Sequence, residues 1–281
     1  MTIEEAEARR WYAEEIRAVA HLTSDAVVEA LARVPREAFL GAGPWQIARS
    51  FEQPPNYRTT RDADPRHIYH NVLVAIDPAR QLHNGLPSAL AQWIEAVDVR
   101  AGDRVLHIGA GLGYYTAILA ELVGPSGRVH GFEIDDALAA RARDNLAAWP
   151  WAHVEARSGV HVPAQPVDLI YVNAGVQQLP RPWVEALAPD GRLVVPLVPA
   201  SGHGAVFAIR REPQGYAARM VCPARFVPCI GTQDAALGER LEAALRGAAP
   251  AAVRSLRLAE PPASSVCVAG DGWWLSSGPP G

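Results

Sequence analysis

Hydrophobic positions in the middle of the chain follow a regular succession of strand and helix patterns. Four aliphatic runs predict buried strands, at residues 104–109, 127–133, 167–175 and 191–198. Two helical patterns follow the first two runs, at 114–123 and 136–149. This alternation predicts a mostly parallel sheet that is covered by helices on both faces.

Two further strand patterns, at 204–211 and 216–228, have no helix between them and predict an antiparallel hairpin at the end of the sheet. A short strand is also expected before "ARSGVH". The predicted fold class is therefore α/β and Rossmann-like: a mostly parallel, seven-stranded sheet with helices on both faces and an antiparallel C-terminal hairpin.

The patterns on either side of this core are less regular. Residues 2–34 predict two helices, and Pro87 opens another helix. Between them, residues 41–84 show no sustained period and contain several prolines, which predicts a long ordered loop region. The last part, 233–281, has a short helical pattern and strand-like runs, and its role is left open.

The composition limits the class of partner. The 26 basic and 30 acidic residues give a net charge of −4, which predicts neither a nucleic acid nor a membrane surface as partner. Cys222, Cys229 and Cys267 form no CxxC pair, so neither a disulfide framework nor a zinc site is expected. With no apolar signal core or spanning run, the predicted location is cytoplasmic. The oligomeric state is left open.

A glycine-rich loop follows the first strand of the core. Gly109, Gly111 and Gly113 stand at alternate positions, whereas the strict dinucleotide pattern needs a glycine where Tyr114 stands. Glu133 ends the next strand, twenty residues after Gly113, where an acid can accept both hydroxyls of a ribose. This combination fits S-adenosylmethionine (SAM), which has no pyrophosphate; the alternative is a tight turn with a surface glutamate.

Several motifs resemble those of protein-L-isoaspartate O-methyltransferases, a family of class I SAM-dependent methyltransferases. They occur in the family's order between about residues 20 and 232: "VPREAF", "DRVLHIGAGLGYYTAILAELVG", "GFEIDDALAARARDNL", "VDLIYVNAGV", "GRLVVPLV" and "ARFVPCIG". The resemblance implies that the three loop glycines cradle the methionine and ribose of SAM and that Glu133 binds the ribose. It implies S-adenosylhomocysteine as product and no metal.

The resemblance also divides the chain into three predicted parts: N-terminal helices and acceptor-site loops in 1–86, the SAM-binding core in 87–232, and the appendage in 233–281. Further candidate cofactor contacts are His107, Ile134, Ser158, Gly159 and Asn173. Ser158 and Gly159 stand where the family has Gly-Asp-Gly. His107 is either a buried strand histidine or a contact to the SAM amino group, and Asn173 follows a strand at the edge where open sheets bind ligands.

The segment that carries the family's acceptor-site serine differs in this chain. The family has Gln-Thr-Ile-Ser-Gln-Pro, and the matching "QLHNGLP" is one residue longer. Counting from Gln81 places Asn84 at the serine's position, and counting from Pro87 places Gly85 there. The hydroxyl is missing either way, although Ser88 lies just beyond. Repair of isoaspartate is therefore expected to be weak or absent.

The candidate catalytic residues are His83, Asn84 and Ser88. His83 is interpreted either as a base or acceptor-orienting donor or as an exposed loop histidine. His67 and His70 form an HxxH spacing without the other ligands expected of a metal site. Tyr114 and Tyr115 are interpreted as packing residues.

The leading functional prediction is a SAM-dependent carboxyl O-methyltransferase acting on a peptide, a protein or a small acid, since a carboxylate needs no base at neutral pH. The alternatives are an O- or N-methyltransferase of a small biosynthetic molecule with His83 as base, and a SAM-binding protein without catalysis. The acceptor pocket is predicted from residues 80–87 and the loop of about 41–71, closing over the strand ends near Asn173.

Overall fold

A computed structural model of the chain describes residues 3–49, 55–162, 165–226, 228–247, 249–258 and 265–280. The chain divides into two compact units. Unit 1 comprises Met1–Gly102, Ala110–Val129 and Asp135–Val154, and unit 2 comprises Asp103–Gly109, His130–Ile134 and Glu155–Gly281.

Unit 1 contains the five helices that the periodic patterns predict and one short helix after residue 34 that they do not. They are α1 (Ile3–Ala20), α2 (Asp25–Arg33), α3 (Arg36–Leu40), α4 (Pro87–Ala96), α5 (Tyr114–Val123) and α6 (Asp136–Asn145). Two of them begin with a side-chain cap: the Ser24 hydroxyl accepts from the Val27 amide, and the Asp135 carboxylate accepts from the Ala137 and Leu138 amides. Pro87 occupies the first turn of α4, where its missing N–H costs nothing.

Unit 1 also contains a small antiparallel sheet, which corrects the prediction of a long loop over 41–84. Its strands are β1 (Gln46–Ala48), β2 (Arg58–Thr59), β3 (Leu73–Asp77) and β4 (Leu82–His83), in the order β2-β1-β3-β4. A single-turn 3-10 helix covers Pro65–Ile68. Strands of two to five residues are too short to show a sequence period, which explains the error. Residues 50–54 of the predicted loop lie outside the described residues.

A ten-stranded sheet lies mostly in unit 2, with the first residues of two strands, β6 and β7, counted in unit 1. The seven predicted strands are β5 (Arg104–Ile108), β6 (Arg128–Glu133), β7 (Ala152–Ala156), β8 (Val167–Val172), β9 (Leu187–Leu197), β10 (His203–Glu212) and β11 (Gly215–Arg225). The C-terminal region adds β12 (Ser255–Arg257), β13 (Val266–Ala269) and β14 (Trp274–Ser276). The helices of this unit are α7 (Arg181–Glu185) and α8 (Ala235–Leu245), with a 3-10 turn at Ala249–Ala252.

The strand order is β13-β14-β12-β11-β10-β9-β8-β5-β6-β7. β8 pairs in parallel with both β5 and β9, whereas the pairs from β9 to β13 are antiparallel. The predicted β10–β11 hairpin is confirmed. The predicted sheet was too small and too parallel, because the three C-terminal strands of three or four residues continue it in antiparallel fashion.

The C-terminal region is fixed to the loop after β8 within unit 2. The Gln178 side chain donates to the Asp271 carbonyl at 2.8 Å and accepts from the Trp273 indole at 3.1 Å. Trp273 is 2% exposed and belongs to the core around β8 to β11. None of the helices within the described ranges combines the length and apolar character needed to span a bilayer.

A buried ion pair lies in unit 2 beside the first residue of β5. Arg192 and Asp103 are 5% and 7% exposed, and their Nη2 and Oδ2 atoms are 2.5 Å apart. The guanidinium also donates to the Asp168 carbonyl at 3.0 Å. Since breaking such a pair leaves a charge without its partner, we expect it to matter for stability.

Candidate functional site

The carboxyl ends of three strands meet at the start of the glycine loop. The Gly109 amide donates to the Phe132 carbonyl at 2.9 Å, and the Asn173 amide donates to the Ile108 carbonyl at 2.8 Å. Gly109 has φ +79°, and a Cβ at this position would lie 3.0 Å from the Asn173 carbonyl oxygen. The turn therefore needs glycine for its conformation and for its close approach to Asn173.

The residues at the end of β6 differ in exposure. Glu133 is 8% exposed, whereas the next residue, Ile134, is 47% exposed. A buried carboxylate followed by an exposed aliphatic side chain suits a ligand with a hydroxyl-rich part and a flat apolar part.

Ser158 and Gly159 follow β7 in unit 2. A Cβ on Gly159 would lie 2.8 Å from the Ile108 Cδ1 atom. The Gly159 carbonyl accepts a hydrogen bond from the Trp183 indole at 2.9 Å. The Ser158 hydroxyl oxygen accepts from the Val160 amide at 3.3 Å. Gly159 thus provides close packing at the strand ends, and its place in the predicted cofactor set remains a prediction.

The other two glycines of the loop lie in unit 1. Gly113 has φ +89° and precedes α5, and a Cβ there would lie 3.3 Å from the Leu146 side chain. Gly111 has φ +56°, and no described atom lies within 4 Å of the Cβ position. Leu112 between them is 2% exposed and packs with Trp45 and Val74. The loop is therefore anchored by its leucine and presents a side-chain-free backbone to open space at Gly111.

The residues present fit SAM. Within unit 2, Glu133 at the end of β6 offers a carboxylate for ribose hydroxyls. The Oδ1 atom of Asn173 is buried and has no hydrogen-bond partner among the described residues. A buried acceptor without a partner is uncommon in native proteins and fits a ligand that carries an ammonium group.

The predicted acceptor segment runs through β4 into α4 in unit 1. Asn84 is 7% exposed, and its backbone N–H donates to the Val74 carbonyl at 2.9 Å. Its side-chain Nδ2 atom has no hydrogen-bond partner in the described part of the chain. His83 is half-buried and pairs with Ala75, and this burial lowers the pKa of its ring. Its imidazole is therefore neutral at neutral pH. Ser88 is 9% exposed in the first turn of α4.

The segment is held at two points. Gly85 has φ +67°, and a Cβ there would lie 3.5 Å from the Tyr115 Cε2 atom in the first turn of α5. The Arg80 guanidinium lies 2.7 Å from Asp135, which caps α6. Asn84 therefore stands next to a residue that packs on the helix following the glycine loop. Tyr115 is predicted from the sequence to be a packing residue, and its place in the first turn after the glycine loop is the sequence signal for a role near the site.

The other three histidines considered in the sequence, His67, His70 and His107, lie in different surroundings. His107 is fully buried, its ring centroid lies 5.5 Å from that of Tyr171, and burial lowers its pKa to about 3. It is a neutral residue inside β5, and its contact with SAM remains a prediction. His67 contacts Asp62 at 2.8 Å and His70 contacts Glu15 at 3.4 Å, so the two histidines of the HxxH spacing bind different carboxylates.

Replacing Glu133 with glutamine is expected to weaken SAM binding about tenfold. The amide keeps the size of the side chain, but a neutral acceptor forms weaker hydrogen bonds than a carboxylate by roughly 1–1.5 kcal/mol. Isothermal titration calorimetry with SAM measures the effect. Unchanged affinity in Glu133→Gln would remove the ribose role from this residue.

Comparison with known proteins shows which family the chain resembles. The model of the family described as protein-L-isoaspartate(D-aspartate) O-methyltransferase matches residues 11–234. A protein-L-isoaspartate O-methyltransferase of Ignicoccus hospitalis is 32% identical over 209 residues, which cover 73% of this chain and 88% of the relative.

Two solved structures share the fold. One, titled a protein-L-isoaspartate O-methyltransferase, has a TM-score of 0.64 and 24% identity and covers 83% of this chain and 69% of that one. The other is a putative enzyme of that name from Plasmodium falciparum in complex with S-adenosyl-L-homocysteine, with a TM-score of 0.62, 18% identity and coverages of 79% and 97%. Both likenesses support the predicted Rossmann-like fold of class I methyltransferases.

Proposed function

Because this chain belongs to the protein-L-isoaspartate(D-aspartate) O-methyltransferase family and is a SAM-dependent carboxyl methyltransferase, we propose that it methylates a carboxylate of a peptide or protein at the segment around Asn84. The family assignment agrees with the leading prediction from the sequence. The proposal adds the class of acceptor, a carboxylate of a peptide or protein, and the segment that binds it.

The observation that carries the proposal is the side-chain amide of Asn84. It is a buried donor without a partner among the described residues, and counting from Gln81 it stands at the position of the family's serine. A buried donor left unpaired costs about 1–3 kcal/mol, so its retention is explained by a ligand that accepts from it. A carboxylate oxygen is such an acceptor, and Asn84 orients it.

The chemistry requires alignment more than acid–base catalysis. SAM supplies a methyl group on a positively charged sulfur, and an ionised carboxylate is already a nucleophile. The protein therefore has to hold the acceptor oxygen in line and exclude water from it. His83, neutral because of its burial, and Ser88 flank Asn84 and complete the proposed acceptor set.

The proposed cofactor set consists of the loop glycines with the residues at the strand ends. Gly109, Gly111 and Gly113 would admit the methionine and ribose portions, and Glu133 would bind the ribose. Asn173, with its unpaired Oδ1 atom, would accept from the ammonium group. Ile134 would pack on the adenine with its exposed side chain.

Two peptides of one sequence, carrying either an aspartyl or an isoaspartyl residue, test the acceptor. We expect the aspartyl peptide to be the better substrate, and Asn84→Ala to lower its kcat/KM about tenfold or more while SAM affinity changes little, because a hydrogen bond to a charged group is lost. Asn84→Ser is expected to raise methylation of the isoaspartyl peptide. Transfer of radiolabelled methyl from SAM is the measurement.

Gln214→Ala provides the control, since Gln214 is an exposed amide side chain in the turn between β10 and β11, outside the predicted acceptor segment. Its kinetics should equal those of the parent. Preference of the parent for the isoaspartyl peptide, or methylation of neither peptide, would contradict the proposal.

A further inference from the structure

Unit 1 contains a second buried donor near Asn84. Tyr115 is 4% exposed, and its hydroxyl has no hydrogen-bond partner among the described residues, as is also true of the Asn84 Nδ2 atom. Buried polar groups in native structures nearly always have a partner. Two neighbouring exceptions therefore call for a common explanation.

Gly85 connects the two groups. A Cβ on Gly85 would lie 3.5 Å from the Cε2 atom of Tyr115, which is bonded to the ring carbon that carries the hydroxyl. The hydroxyl end of the tyrosine ring, together with the Leu90 side chain, thus lies on the side of Gly85 that a side chain would occupy. Both unpaired donors belong to one small region of unit 1.

The neighbouring polar groups are already engaged. The hydroxyls of Tyr114 and Tyr12 lie 3.4 Å apart and form their own pair, and the ring of Tyr115 meets that of Tyr114 edge-on at 5.0 Å. The Tyr115 hydroxyl is left out of this pair. Burial raises its pKa far above the ordinary value, so the group stays protonated and acts as a donor.

The region also carries a buried positive charge. Arg36 is fully buried, and its guanidinium donates to three backbone carbonyls, those of Ile68, His70 and Val72. No carboxylate of the described residues forms an ion pair with it, and its charge acts on Tyr115. A buried cation without a counter-ion favours an anion nearby.

We propose that the Tyr115 hydroxyl is a second donor to the acceptor carboxylate, beside the Asn84 amide, in the field of Arg36. This assignment rests on the proposed function and names a specificity-determining residue for it. Two neutral donors and a distant cation bind an ionised acid more strongly than an alcohol or an amine. They also bind the methyl ester less strongly than the acid, since methylation removes the charge, and this favours release of the product.

The test compares two adjacent tyrosines. Tyr115→Phe is expected to raise the KM of the aspartyl peptide about tenfold, because one hydrogen bond to a charged group is lost, and to change the SAM dissociation constant less than about twofold. Its Tm should stay unchanged or rise, because an unpaired buried hydroxyl is removed. Tyr114→Phe, which removes a paired hydroxyl, should instead lower the Tm and leave the KM unchanged.

The outcomes separate this inference from the function on which it rests. An unchanged KM in Tyr115→Phe together with a raised KM in Asn84→Ala would overturn the role of Tyr115 alone. A fall in Tm as large as that of Tyr114→Phe, with unchanged KM, would assign Tyr115 to packing. Unchanged KM in both Tyr115→Phe and Asn84→Ala would overturn the proposed acceptor site, and absence of any peptide methylation would overturn the proposed function and this inference together.

Discussion

Gly109→Ala is expected to lower the affinity for SAM by at least about 100-fold, which corresponds to about 2.7 kcal/mol. The added Cβ would lie 3.0 Å from the Asn173 carbonyl oxygen, and φ at this position is +79°. Neither the strand backbone nor the turn can relax without moving the residues at the carboxyl ends of β5 and β8. Isothermal titration calorimetry with SAM and S-adenosylhomocysteine measures the loss.

Gly202→Ala is the matched control for this effect. Gly202 has φ +80° in the turn between β9 and β10, and no described atom lies within 4 Å of its Cβ position. The two substitutions share the strain of a left-handed alanine, about 1 kcal/mol, and differ in the contact with Asn173. Equal loss of SAM affinity in both variants would show that general strain, rather than the shape of the cofactor turn, is responsible.

Arg192→Leu is expected to lower the free energy of unfolding by about 3–5 kcal/mol, because it removes the cation that lies against the buried Asp103 carboxylate. Asp103 is 7% exposed, and the substitution also removes a donor to the Asp168 carbonyl. Urea denaturation followed by circular dichroism gives the value. A change of this size is a large fraction of the stability of an ordinary domain.

Two further variants define the cause. Arg181→Leu removes one partner of a pair whose side chains are 66% and 53% exposed, and it should leave the stability nearly unchanged. The double variant Asp103→Leu with Arg192→Leu should recover part of the loss, since both buried charges of the pair are then replaced by apolar side chains. No recovery in the double variant would show that the arginine acts through its packing or its carbonyl contact instead.

Long elements were predictable from the sequence because their signals are local. The strand β8 and the second half of β9 are rich in buried aliphatic residues, and the glycines of the loop stand at positions where φ is positive. A positive φ is a property of one residue and its neighbours, so glycine spacing reveals it. The cofactor loop and the order of the core elements follow from such signals.

Short and tertiary features were not predictable in this way. The strands β1 to β4 are defined by pairing between distant residues rather than by a period, and the same holds for β12 to β14. The Tyr115 hydroxyl has no hydrogen-bond partner among the described residues, and this too is a tertiary property. The hydroxyl of the adjacent Tyr114 pairs with that of Tyr12, which is distant in the sequence. A sequence shows a tyrosine after the loop but not whether its hydroxyl has a partner.

The outer side of β11 carries features that disfavour pairing with a strand of another molecule. Unpaired N–H and C=O groups along a long outer strand can template pairing with another molecule. Within the described ranges, β12 registers only with Tyr216 and Ala217 of this eleven-residue strand. Further along, exposed Arg219, Pro223 and Arg225 provide two charges and a residue that cannot donate to a ladder. The C-terminal strands thus cover the first part of β11, and these three residues disfavour strand pairing along the rest of it. Both features are expected to oppose fibrous aggregation.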